Sequence, residues 1–269
     1  VASEQSNALS GKKFLYQKPE LLSAEDHAAL GLTPSQRPFD HVRAVRGIPL
    51  NLGEFTEAHL HYPIVFASKE QPTPVAIVGV TDDDNLFVND AGLWDPLAYV
   101  PGYLRCYPFS VASSDGSNYA LVVDVAAPTV SDQPAFPFFV DGAPSEATQT
   151  MMQMCAEYER GRMATEQFGK QLISLDLLST HRTTHTPEGE SEAQTLADYV
   201  AVNAERLAEL PQETVYELHR SGALAALHLH LASLQNWRRL LARRALRDGG
   251  GGQGLPGGGV PAEEPPTAG

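Results

Sequence analysis

The chain has 269 residues, 42% of them hydrophobic and 8% aromatic, enough to bury a sizeable core in one large domain or two modest ones. Its formal net charge of −14 opposes the counterion release that drives nucleic-acid binding, so nucleic acid is excluded as an expected partner. The two cysteines, Cys106 and Cys155, show no Cys-x-x-Cys or Cys/His spacing; this sets aside a zinc ribbon or a disulfide framework, and both read as small buried apolar residues.

The opening VASEQSNALSGKKFLYQ lacks the apolar run of a signal peptide, and no stretch of roughly eighteen apolar residues could span a bilayer. A soluble, cytoplasmic protein is expected; the chain opens on Val1 rather than Met, which leaves a removed leader open. From Phe14 to about Val140, proline, glycine and short β-branched or aromatic runs favour short strands and turns.

Within that part, Gly53, five residues and then His59-Leu60-His61 match the opening of the metal motif of cupin-type barrels. On a strand, His59 and His61 would share a face and could chelate. Asn51 and Glu54, however, have the spacing of a capping box, so a short helix is predicted over residues 54–59, ended by Pro63. A helix that stops between the two histidines splays them apart. No carboxylate follows His61 at three or four residues and no second histidine motif follows, so His59 and His61 stand as a metal candidate without the rest of its pattern.

Farther on, Val75–Val80, the turn Thr81–Asp84 and Asn85–Asn89 predict a hairpin. The segment from Trp94 to Phe109 combines aromatic residues with a single arginine. Trp94, Tyr99, Tyr103, Arg105 and Tyr107 are the candidate ligand-binding residues: aromatic walls plus one fixed cation could cradle a carboxylate-bearing or aromatic ligand. The same residues could instead form an irregular core. Asn118–Val125 is the strongest predicted strand, its near-continuous apolar character implying burial on both faces. The predicted strands are expected to share one sheet.

From Ser145 the pattern turns helical. Ser145 is the predicted N-cap, and Met151, Met154, Cys155 and Tyr158 fall at helical spacing, which reads as core packing by gap-filling methionines. His181 and His185 have a chelating spacing but sit in the Thr- and Pro-containing segment STHRTTHTPEGES, which reads as a loop. Pro211 marks a helix start, Ser221-Gly222 an interruption, and one further helix is predicted from about Ala223 to Arg247. Its leucines 224, 227, 231, 234 and 241 form a seam, and His228 is read as a core-edge histidine. Arg238, Arg239, Arg243, Arg244 and Arg247 complement the helix macrodipole; an anionic membrane or acidic partner is the alternative reading of that cluster. Residues 248–269, rich in glycine and proline, are expected to be a disordered tail.

These elements predict an α+β fold in one domain over residues 1–247: a β-rich N-terminal half (14–140) with a mostly antiparallel sheet, and a helical C-terminal half (145–247) packed on it. There is no Gly-x-Ser-x-Gly elbow, Walker loop, Rossmann fingerprint or repeat, so the catalytic residues are unknown and no cofactor is expected.

Taken in order, HYPIVF (61–66), PVAIVGV (74–80), NLFV (85–88), Trp94 and YVPGYLRCYPF (99–109) resemble the bacterial SapC family. GALAALHLHLASLQNWRRLLARR (222–244), with its Ser-Leu-x-Asn turn at Ser233–Asn236, is similar to that family's closing helix, and the resemblance covers roughly residues 12–245. It implies association with the bacterial surface layer, and a genomic neighbourhood shared with flavin-dependent tryptophan halogenases and outer-membrane receptors. It implies no established catalytic residues. His61 matches the family's histidine before Tyr-Pro-Ile, whereas His59 is not a hallmark, and Cys106 stands where a second basic residue is expected. The expected function is a non-enzymatic accessory or ligand-binding protein of a surface-layer or envelope system, with a protein or small molecule as partner. A metal-dependent oxygenase or modifying enzyme acting on amino acids or peptides is the alternative.

Overall fold

The structure, a computed structural model, describes residues 13–112, 119–185 and 194–249. In chain order it begins with β1 (Pro19–Leu21), α1 (Ala24–His27), β2 (Gly31–Leu32) and β3 (Gly47–Pro49). There follow α2 (Phe55–Ala58), β4 (Ile64–Phe66), β5 (Pro74–Ile77), α3 (Gly102–Cys106), β6 (Phe109–Ala112) and β7 (Ala120–Asp124). Four two-residue strands come next: β8 (Val130–Ser131), β9 (Phe136–Pro137), β10 (Phe139–Val140) and β11 (Ala143–Pro144). The remainder is α4 (Glu146–Ser174), β12 (Leu178–His185), β13 (Gln194–Val202), α5 (Ala204–Ala208), α6 (Gln212–Arg220), α7 (Ala223–Ser233) and α8 (Asn236–Asp248). The fold class is α+β, and the strand pairs are antiparallel.

The chain forms two compact units, each built from two segments: Val1–Ala44 with Phe87–Ala164, and Val45–Leu86 with Thr165–Gly269. In the first unit β7 is the centre of a three-stranded sheet, β1-β7-β6. Its Val122 and Val123 point to opposite faces and are both fully buried, as the apolar run predicted. One face belongs to a core of Cys106, Phe109, Val111, Leu121, Val123, Phe138 and Cys155, against which Met151, Met152, Met154 and Tyr158 of α4 pack. That is the packing role expected of the methionines. α4 begins where the sequence places it: the amide of Thr148 donates to Ser145 Oγ (3.3 Å). A Ser145→Ala variant is expected to lose about 1 kcal/mol of stability, measured by urea unfolding.

The second unit holds a five-stranded sheet, β12-β13-β4-β5-β3. β5 and β7 therefore belong to different sheets, which corrects the expectation of one shared sheet. The predicted hairpin is also only half formed. Val75–Ile77 lies in β5, but Asn85–Asn89 is not a strand; it is linked back by the Leu86 amide donating to the Val78 carbonyl (2.8 Å). Three consecutive aspartates in the turn carry too little β propensity to extend the ladder.

His181 and His185 lie in β12, not in a loop. β12 pairs with β13 from Leu178↔Val202 to His185↔Gln194, and this long-range pairing outweighs the local threonine-rich signal. Gly222, at φ +79°, interrupts the helical run before α7, a backbone conformation that glycine adopts without steric cost. The predicted single C-terminal helix is two helices, broken at Leu234–Gln235. The break moves the buried stripe onto Ala223, Ala226, Leu227, His230 and Ser233, then Asn236, Trp237 and Leu240. His228 is thus exposed, not at the core edge, and it is His230 that is fully buried. Asp248 ends α8; residues 250–269 of the expected tail lie outside the described residues.

Candidate functional site

Asn51 and Glu54 form the predicted capping box, the Asn51 amide donating to Glu54 Oε2 (2.7 Å). α2 then runs from Phe55 to Ala58, with His59 as its C-cap. The helix ends between His59 and His61, and His59 Nδ1 lies 2.9 Å from the Phe55 carbonyl oxygen of its own helix. His61 is set against Tyr62 at a ring separation of 5.9 Å. Among the described residues no group of three or more His, Cys, Asp or Glu is arranged to hold a metal ion.

What surrounds the two histidines is backbone satisfaction. Asn236 Nδ2 donates to the carbonyls of His59 (2.6 Å) and Tyr62 (3.0 Å), and Ser233 Oγ accepts the Ile64 amide (3.0 Å). The Ser-Leu-x-Asn turn therefore caps the HYPIVF segment across the chain. A buried polar backbone needs such partners.

The five aromatic and cationic candidates do not converge. Trp94 packs between Phe39 (5.4 Å) and Phe87 (6.0 Å) in the core. Arg105 is exposed, its guanidinium donating to Tyr99 Oη (2.9 Å) and lying 5.5 Å over the Tyr99 ring. Tyr107 stacks on His41 at 4.3 Å and points its hydroxyl at Asp124 (3.3 Å). Tyr103 is the one that lines a cavity.

That cavity, about 280 Å³, lies wholly within the first unit, between the N-terminal turn, α3, β6 and α4. Its walls are Tyr16, Tyr103, Phe109, Val111, Tyr158 and the thiols of Cys106 and Cys155. The tyrosine rings meet edge to face: Tyr16 and Tyr103 at 6.3 Å and 80°, Tyr103 and Tyr158 at 6.0 Å and 68°. Tyr16 donates to the Phe109 carbonyl and Tyr103 to that of Phe14, which fixes the turn over residues 13–16. Burial pushes both phenols well above their usual range, so they stay protonated donors. The Cys106 and Cys155 thiols hydrogen-bond one another; that bond, then burial, pushes the Cys155 thiol up and keeps it protonated.

The polar members are Lys13, Ser110, Glu159 and Arg162. Lys13 Nζ donates to Ser110 Oγ (2.8 Å) and to the Val111 carbonyl (3.0 Å). Arg162 grips Glu159 through Nε (3.0 and 2.9 Å) and Nη2 (2.7 Å). Burial lowers the Lys13 ammonium below the ordinary lysine range, partly offset by Glu159. Cys155, Tyr158, Glu159 and Arg162 share a helical face by spacing alone, a signal present in the sequence. Lys13 and Ser110 carry no such signal, because the contact joining them spans most of a hundred positions.

A second hollow, in the second unit, is lined by Arg46, Phe66, Asp198 and Trp237 among others. Its charges are already matched: Arg46 with Asp82 (2.9 Å) and Asp198 with Arg182 (2.7 Å).

The SapC family model matches residues 22–240. The chain belongs to the SapC family. No curated protein and no solved structure matches it significantly. The family match takes in α3, β6 and the wall of α4 that lines the cavity, whereas Lys13 and Tyr16 fall before its first residue. In this member of the family the arginine cluster of α8 is engaged within the chain. Arg244 (2.8 Å) and Arg247 (2.7 Å) both meet Asp84, and Arg239 donates to the Leu60 carbonyl (2.8 Å).

Proposed function

We propose that this SapC-family protein is a non-enzymatic accessory protein of a bacterial surface-layer or envelope system, and that it works by holding a small ligand in the cavity of its first unit. The observation that carries this reading is the cavity itself: an aromatic and thiol-lined chamber with a lysine ammonium turned into it. Cavities of this kind, apolar with a few fixed polar groups, are the usual form of small-molecule sites. No helix among the described residues is long and apolar enough to cross a membrane.

The test is a broad small-molecule screen by thermal shift, with cavity occupancy read as protection of Cys106 and Cys155 from alkylation under partly denaturing conditions. Binders are expected to slow alkylation of both thiols together. Arg105→Ala is expected to leave binding unchanged, because its guanidinium rests on Tyr99 outside the cavity. Compounds that bind without protecting either thiol would place the site elsewhere, and product formation from a bound compound would end the non-enzymatic reading.

A further inference from the structure

From the charge balance of the cavity we infer that its ligand is a small monoanionic aromatic acid, a single-ring carboxylate whose carboxyl group meets Lys13 and whose ring lies among Tyr16, Tyr103 and Tyr158. The inference rests on the cavity being a binding site and names what that site takes.

Three observations carry it. The first is an uncompensated charge. Glu159, the one acid among the described lining residues, is held by Arg162 through three contacts of 2.7–3.0 Å. That pair is neutral in sum. Among the described residues Lys13 Nζ donates to two neutral oxygens, Ser110 Oγ and the Val111 carbonyl, and no carboxylate lies within ion-pair distance of it. An ammonium has three N–H donors, so one has no acceptor among the described residues. A charge withdrawn from water and left without a counter-charge is costly, and an anion entering the cavity removes that cost.

The second observation concerns the size of the anion's charge. With Arg162 committed to Glu159, Lys13 offers the single unmatched positive charge among the described lining residues. One ammonium matches a carboxylate; a dianionic phosphate calls for more donors than Lys13 has left. The third is the wall. The edge-to-face chain Tyr16–Tyr103–Tyr158 and the neighbouring Phe109 present aromatic surface on several sides. A ring inserted there gains edge-to-face aromatic contacts beyond simple burial. A volume of about 280 Å³ is at the small end for ligand sites, which limits the occupant to a compact molecule.

The backbone supports the placement of Lys13. Leu15 has φ +71°, a left-handed conformation unusual for a branched residue. The turn that contains it is tied down by the Tyr16 and Tyr103 hydroxyls and closed by the Tyr16 amide donating to the Lys13 carbonyl (3.2 Å). Strain of this type persists only where surrounding contacts over-determine it, and here those contacts aim one side chain into the chamber.

The experiment uses the full chain and a matched probe set: benzoate and phenylacetate against benzamide and benzylamine, titrated by calorimetry and ligand-observed NMR up to about 10 mM, the weak limit of useful affinity. The carboxylates are expected to bind at least tenfold more tightly than the amide and the amine. Lys13→Met is expected to weaken the carboxylates at least tenfold and Lys13→Arg to restore most of that loss, with unchanged thermal midpoints confirming that both variants fold. If amide and carboxylate bind alike and Lys13→Met changes neither, the anion inference is overturned while the cavity stands as a binding site. If none of the four binds, the inference also falls; thiol protection by compounds of other classes then decides whether the cavity reading survives.

Discussion

Replacing Asp124 with alanine is expected to lower the unfolding free energy by about 3 kcal/mol, because it leaves several buried donors unsatisfied at a cost of about 1–3 kcal/mol each. Asp124 is fully buried at the end of β7. Its carboxylate accepts the amides of Gln17 (3.0 Å), Lys18 (2.8 Å) and Ala126 (3.3 Å), and the hydroxyl of Tyr107 (3.3 Å). These bonds fasten the segment that carries Tyr16 and Lys13 to the sheet. Alanine leaves the amides without an acceptor, and a donor to a charged group loses more than a neutral pair does. Urea unfolding measures the loss. Tyr107→Phe, which removes only one of the two 3.3 Å bonds and leaves the three backbone amides satisfied, is expected to cost about 1 kcal/mol. Equal losses for the two variants would show that the backbone amides are not the main contribution.

The second large effect is pH-dependent and belongs to the second unit. His230 is fully buried on α7; its Nε2 accepts the Val202 amide of β13 (3.1 Å) and its ring lies 5.0 Å from Phe66. Burial, reinforced by the charge of His181 on β12, lowers its pKa to about 3 from an ordinary value of 6.5. In the unfolded chain the imidazole takes up a proton near pH 6.5, while the folded protein resists protonation until about pH 3. The unfolded state thus binds the extra proton between these limits, and stability falls as pH drops through that window. The slope from this one group is about 1.4 kcal/mol per pH unit. The contribution is complete above pH 6.5 and is lost progressively toward pH 3. Comparing wild type with His230→Gln, which offers a neutral acceptor to the Val202 amide, isolates the effect. The stability difference between the two is expected to shrink by about 1.4 kcal/mol for each unit below pH 6.5. A difference that stays constant from pH 7 to pH 5 would mean that His230 is not buried neutral.

Sequence and tertiary structure carry two kinds of information here. The capping box of Asn51 and Glu54, the Ser145 N-cap, the Gly222 interruption and the buried run of β7 were all legible. Each depends on hydrogen bonds or side-chain periodicity within a few residues of itself. The β12–β13 hairpin was not legible, because its ladder is a cooperative pairing of two segments with weak local preference. Nor was the phase of the C-terminal helices, where the break at Leu234–Gln235 exchanged a leucine seam for a stripe containing His230, Ser233 and Asn236. Those polar residues are buried because they answer amides and carbonyls of β4, β13 and the turn before β4.

The candidate site divides in the same way. Tyr103, one of the five candidates from the sequence, lines the cavity, and the burial of both cysteines was legible. The choice of cation was not. Arg105 stands in the aromatic segment and draws attention by proximity in sequence, yet it rests outside on Tyr99, while Lys13 reaches the chamber through contacts with Ser110 and Val111.

By itself, then, the sequence determined the α+β class, the family, the caps and the local helix that parts His59 from His61. Tertiary structure alone decided that Cys106 meets Cys155, that Lys13 is the cation of the cavity and that His230 is the buried imidazole. The reason is one of range: caps and periodicity are settled by neighbours along the chain, whereas a cavity is settled by which distant surfaces the whole chain brings together to exclude water.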